Sequence, residues 1–127
     1  MTADTPTTAA PQHTPGPWKH LTIGRGTLVV PSDKRVLHGR EVAIISPTSE
    51  VGVEYANAAL IAAAPDLLAA LREAVPQMQE DRDALFSCGT LGDDPATLDD
   101  LTARGVARYD ELLATMRAAL SRAEGRA

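Results

Sequence analysis

At 127 residues and a formal net charge of −5, the chain has room for one domain of modest core and little affinity for nucleic acid in general. A single cysteine, Cys88, excludes an internal disulfide and fits a reducing cytoplasm. The charge is unevenly spread: residues 13–47 hold five cations against two carboxylates, whereas residues 48–127 hold seven arginines against fourteen. Such asymmetry fits an anion site, or two oppositely charged portions meeting across a subunit interface.

Residues 1–12 are Thr, Ala and Pro with almost no large apolar side chain, so they are expected to form a disordered tail. They carry neither the basic nor the apolar region of a signal peptide. Residues 13–127 are expected to form one α+β domain. Its order begins at Thr14-Pro15-Gly16-Pro17-Trp18, a stiff entry into a strand. Trp18–Ile23 and Thr27–Val30 read as two strands joined by Gly24-Arg25-Gly26, whose glycines suit a tight hairpin. After the turn cluster Pro31–Lys34, Arg35–Gly39 is a short strand or a loop. Glu41–Ser46 is the clearest strand, β-branched and stopped by Pro47. The expected sheet is an antiparallel meander over residues 13–47 with one face covered.

Helical patterning follows. A helix over 54–63 ends at Pro65, which suits the first turn of a second helix with Asp66 at its positive end. Leu67, Leu68, Leu71 and Val75 form the stripe of that second helix, and Pro76 predicts another bend. Together these make a kinked arm over 50–88. Cys88–Pro95 is a loop, with Asp94 or Thr97 expected to cap the last helix over 95–124. In that helix Leu98, Leu101, Gly105, Tyr109, Leu112 and Met116 recur at three- and four-residue steps, with Val106, Leu113 and Leu120 widening the stripe. The fold class expected is a small N-terminal antiparallel β-meander packed on a C-terminal helical hairpin. The run Ala58–Ala64 is apolar all round, which predicts burial on every side, with Leu60 and Ile61 against the meander and a further side left for a second subunit. The longer apolar stretch Tyr55–Leu71, interrupted by Pro65 and Asp66, is too short and too broken for the roughly 20 residues a membrane span requires.

No catalytic or metal signature emerges. Gly24-Arg25-Gly26 lacks the third glycine and following helix of a dinucleotide site. His13, His20 and His38 lack metal-ligand spacing, Cys88 has no Cys-x-x-Cys partner, and no serine sits in a Gly-x-Ser-x-Gly elbow. Asp93-Asp94 and Asp99-Asp100 are placed for helix capping. The reading is therefore non-enzymatic and free of cofactors. Arg25, Arg35 and Arg40 could build a basic cleft for a small anion. Trp18 and Tyr55 could stack on a base there, and Asn57 could read a base or ribose edge. The alternative for Trp18 and Tyr55 is that they are core aromatics.

Thr14–Trp18, the strand Glu41-Val42-Ala43 and the segment Ala56-Asn57-Ala58-Ala59-Leu60-Ile61-Ala62-Ala63-Ala64-Pro65-Asp66-Leu67-Leu68 resemble short phage and prophage accessory proteins. That resemblance implies a host-interaction or anti-defence factor in the bacterial cytoplasm. In layout, a sheet followed by two helices, the chain is also similar to oligomeric phage sponges that bind cyclic nucleotide or cyclic ADP-ribose immune signals. Two functions are expected on this basis. One is a homo-oligomer that sequesters an anionic nucleotide through Trp18, Arg25, Arg35, Arg40, Tyr55 and Asn57. The other is an inhibitor of a host defence or transcription protein, acting through an acidic helical face of Glu80, Asp81, Asp83, Asp93 and Asp94.

Overall fold

A computed structural model describes residues 13–24, 26–32, 41–46 and 52–126. Arg25, Arg35 and Arg40, the segment 35–39 and the tail 1–12 lie outside the described residues. The chain divides into two compact units, residues 1–62 and 63–127. The division falls inside the long apolar run, between Ala62 and Ala63.

In the first unit, strands β1 (Trp18–Ile23), β2 (Gly26–Pro31) and β3 (Ala43–Ile45) form an antiparallel sheet in the order β1-β2-β3. Gly24 adopts φ +61° at the β1–β2 turn, a conformation glycine takes without strain, whereas Gly26 already belongs to β2. Along β2 the alternating Thr27, Val29 and Pro31 are all buried, Val29 completely. Helix α1 (Val53–Ala62) packs on the sheet, with Ala58 fully buried and Glu54 and Ile61, on the same side one turn away in each direction, half-buried.

The expectation that the apolar run is buried on every side is not met. Leu60 is 64% exposed and Tyr55 47% exposed, so Ile61 and not Leu60 turns to the sheet. A ten-residue helix lying on one sheet face covers only the side it presents, and the other sides of α1 keep their exposure.

The second unit is a hairpin of α2 (Ala64–Gly89) and α3 (Asp100–Ala123). Pro65 stands in the first turn of α2, where its missing N–H costs no hydrogen bond, and Asp66 follows it. Pro76, where a bend is expected, stands inside α2, which is one continuous helix of 26 residues. Pro76 is exposed, so water can solvate the carbonyl of Arg72 that the proline leaves without a donor.

The connection is knitted by its own side chains. Thr90 Oγ1 donates to the Phe86 carbonyl at 2.9 Å, Ser87 Oγ to Asp93 at 3.0 Å, and the Leu91 N–H to Thr97 Oγ1 at 2.8 Å. Asp94 accepts from the Ala96 N–H at 3.0 Å and caps the short 3₁₀ turn Pro95–Thr97, not α3. The cap of α3 is Asp99, whose Oδ1 accepts from the N–H groups of Leu101 and Thr102 at 3.0 Å while Oδ2 accepts from Thr102 Oγ1 at 2.7 Å. Sequence spacing pointed to Asp94 or Thr97 because Pro95 mimics a helix start; the 3₁₀ turn intervenes.

The hydrogen bond from Thr102 Oγ1, aided by the two N–H groups, holds the Asp99 carboxyl below the usual aspartate range. A carboxylate with a depressed folded-state pKa stabilises above its unfolded pKa, and that contribution is lost as pH falls through the folded value. Asp99→Asn is therefore expected to lower the Tm at neutral pH and to flatten the Tm loss below about pH 4. Thermal melts of both proteins across the acid range check it.

The two helices touch along a narrow seam. Among residues 63–126 only Val106 and Leu113 are buried. Near the loop the helices come very close, because a Cβ on Gly89 would lie 2.4 Å from Thr102 Cγ2, and one on Gly105 would lie 3.0 Å from Leu85 Cδ2. One broad side of the hairpin is tied across by polar groups. Arg82 Nε bonds Asp110 at 2.9 Å, Arg117 bonds Gln79 at 2.6 Å, and Arg72 bonds Glu124 at 2.9 Å. Arg82 also lies 5.3 Å from the Phe86 ring centre. No described helix is long and apolar enough to cross a membrane.

Candidate functional site

The register of the sheet decides which side chains share its two faces. Val29 pairs with His20 and Ala43, Thr27 with Thr22 and Ile45, and Pro31 with Trp18, so these lie on the face where the buried residues of β2 meet α1. The opposite face carries the cross-strand row Leu21–Leu28–Ile44, with Ile23 beside it and Lys19 at its far end. Ile44 is 70% exposed and Ile23 51% exposed, while Leu21 and Leu28 are half-buried. Val30, opposite Lys19, is buried, so the open part of this face lies toward the Gly24 turn. Four aliphatic side chains gathered on one face, two of them largely in water, is the arrangement that marks an interaction surface. It was legible in the alternation Lys19-Leu21-Ile23 against Leu28-Val30. Ile44 stands in the strand expected over Glu41–Ser46, where the unbroken apolar run Val42–Ile45 does not tell one face from the other.

Of the six ligand-site candidates, Trp18, Tyr55 and Asn57 are among the described residues. Trp18 is half-buried at the start of β1. Its Nε1 donates to the Pro15 carbonyl at 3.2 Å, and its ring meets His13 edge-on at 6.3 Å. These partners are local, which fits a tryptophan that fixes the entry segment. Tyr55 and Asn57 are both exposed on α1. Two residues apart on a helix, they point to nearly opposite sides. Arg25, Arg35 and Arg40 fall outside the described residues.

The acidic candidates of the hairpin are largely engaged where they stand. Asp81 accepts from Gln77 at 3.2 Å, Asp83 from Gln79 at 2.9 Å, Asp93 from Ser87 and Asp94 from the Ala96 N–H. Glu80 is exposed. Among the described residues no group of three or more His, Cys, Asp or Glu side chains is placed to hold a metal ion, and Cys88 is a free, exposed thiol. A shallow depression of about 290 Å³ at the open end of the hairpin is lined by Arg117, Leu120, Ser121, Glu124 and Arg126. Hydrogen bonds from Arg126 and then Arg72 hold the Glu124 carboxyl below the usual glutamate range. A carboxylate tied to two guanidinium groups is a poor general base, and the depression has no nucleophile beyond Ser121.

A family model described as Salmonella phage P22 protein Y8K6 matches residues 1–127. The chain belongs to this phage protein family. The match spans the whole sequence and bears out the resemblance to phage accessory proteins. The family's description carries no activity. No curated protein and no solved structure matches the chain.

Proposed function

We propose that this phage protein is a non-enzymatic host-interaction factor that docks a host protein on the sheet face carrying Leu21, Ile23, Leu28 and Ile44. The carrying observation is the exposure of Ile44 and Ile23 on the face opposite the one α1 covers. Burying two such side chains stabilises a complex by roughly 1.5–3 kcal/mol each, enough to serve as its anchors. A host defence or transcription component is the class of partner that the accessory-protein reading suggests. Ile44→Lys tests the surface: with 70% of the side chain already in water, its Tm should stay within about 0.5 kcal/mol equivalent of the parent. Tagged parent protein should retain a stoichiometric host protein that Ile44→Lys releases. Equal retention by both would remove the sheet face from the account.

A second reading is sequestration of a cyclic nucleotide or cyclic ADP-ribose type signal, an anti-defence role. It is favoured by one observation: Tyr55 stands 47% exposed on α1, available to stack on a base, and is not the core aromatic of the alternative. Ligands of this class at 100 times their Kd should raise stability by about 2.7 kcal/mol. Melts with a panel of cyclic di- and trinucleotides and cyclic ADP-ribose isomers decide it, and an unchanged Tm across the panel would dismiss it.

A further inference from the structure

We propose that two copies of this chain associate through the broad side of the α2–α3 hairpin that the polar ties leave open, forming a four-helix bundle. Helical geometry separates the two sides. On α3, taking buried Val106 and Leu113 as the seam, Asp110 and Arg117 lie on one flank, while Met116, Leu112 and Leu101 lie progressively farther round the other. On α2, Arg72 and Gln79 fall on the flank facing Asp110 and Arg117, and Leu85, Leu67 and Ala74 fall on the opposite one. A Cβ on Gly105 would lie 3.0 Å from Leu85 Cδ2, so these two flanks form one side of the hairpin. So the polar ties close one side, and Leu67, Ala74, Leu85, Leu101, Leu112 and Met116 gather on the other.

That side is not satisfied within the hairpin. Leu101 is 80% exposed, Leu67 55% and Leu112 36%. A second copy fits it by size and by chemistry. Two helices of about 24 residues, rising about 1.5 Å per residue and each about 10 Å across, present roughly 700 Å². A standard stable interface takes about 800 Å² from each partner. A twofold axis, the commonest symmetry of soluble assemblies, would set this face against its own copy. Its small residues Ala74 and Gly105 permit close helix approach. Asp81, seven residues after Ala74 and four before Leu85, lies within this stripe, where Gln77 Nε2 donates to its carboxylate at 3.2 Å. An anionic lipid surface is disfavoured as the occupant, since residues 63–127 carry twelve carboxylates against seven arginines.

Sedimentation equilibrium of the full chain tests the proposal. The parent should show twice its 13.4 kDa mass at micromolar concentration. Leu101→Lys/Leu112→Lys should weaken association by at least about 100-fold, because a lysine cannot be buried unpaired at such a seam. Ala114→Lys, an exposed site outside the stripe, should leave the dimer intact. Far-UV dichroism separates lost association from lost folding: the double variant should keep its helix content at concentrations where it is monomeric. If the double variant does not fold, the parent decides alone, by a Tm that rises with protein concentration. A monomeric parent across the micromolar range, or a dimer unaffected by the two lysines, overturns the proposal.

Discussion

Leu113→Ala is expected to cost about 2–5 kcal/mol, the range for emptying a buried leucine site. Leu113 is 2% exposed and shares the seam between α2 and α3 with only one other buried side chain, Val106. A hairpin held by so few buried groups has little to spare against a total stability of roughly 5–15 kcal/mol for a small protein. The substitution should therefore strip most of the cooperative helical signal at 37 °C. Leu91→Ala in the connecting loop, 78% exposed, should change stability by less than about 0.5 kcal/mol. Urea titrations followed at 222 nm compare the two. Similar costs for both would mean that the seam is not where the hairpin is held.

Gly89→Ala should be destabilising by about 1–3 kcal/mol, the opposite of the usual sign for this change inside a helix. In an open helix, alanine is favoured over glycine by about 0.5–1 kcal/mol. Gly89 has no positive φ to protect, so strain in the backbone is not the reason. The cost arises across the seam: the new methyl carbon would lie 2.4 Å from Thr102 Cγ2 and 3.0 Å from Leu98 Cδ1. Thr102, the nearer neighbour, cannot swing away freely, since it is pinned through its hydroxyl to Asp99 at 2.7 Å. Thr102→Ser removes the offending methyl and keeps that hydroxyl. The double variant Gly89→Ala/Thr102→Ser should recover part of the loss, giving a favourable coupling in a double-mutant cycle. Purely additive costs would place the effect elsewhere than at this contact.

Several elements of the fold were readable because their signals are local. Gly24 before Gly26 marked the β1–β2 turn, β-branched residues marked the strand now seen as Ala43–Ile45, and Pro65 marked the start of α2. The helix over Asp100–Ala123 followed from its apolar spacing. Other features depended on context that spacing does not carry. Pro76 reads as a bend, and its exposed position lets the helix continue through it unbroken. Asp94, Thr97 and the pair Asp99-Asp100 all read as capping residues, and only the intervening 3₁₀ turn, capped by Asp94, leaves the long helix to Asp99. The run Ala58–Ala64 reads as a core because it is apolar on all sides, but apolarity does not say how many partners are at hand. Only one side of α1 meets the sheet, and Leu60 remains exposed.

The candidate site shows the same limit. A ligand site read from residue type alone selected aromatics and cations, and Trp18 proves to be tied to Pro15 and His13 in its own entry segment. The sheet face emerges only with strand register, because Leu21, Leu28 and Ile44 come from three separate segments.

Photo-crosslinking from that face tests the account most directly. A photoreactive residue at position 44, on the open face, is compared in phage-infected cells with one at position 20, exposed on the other face of the same sheet. A discrete adduct with a host protein is expected from position 44 and none from position 20. Equal labelling from both positions, or an adduct from position 44 only with another copy of this chain, would contradict it.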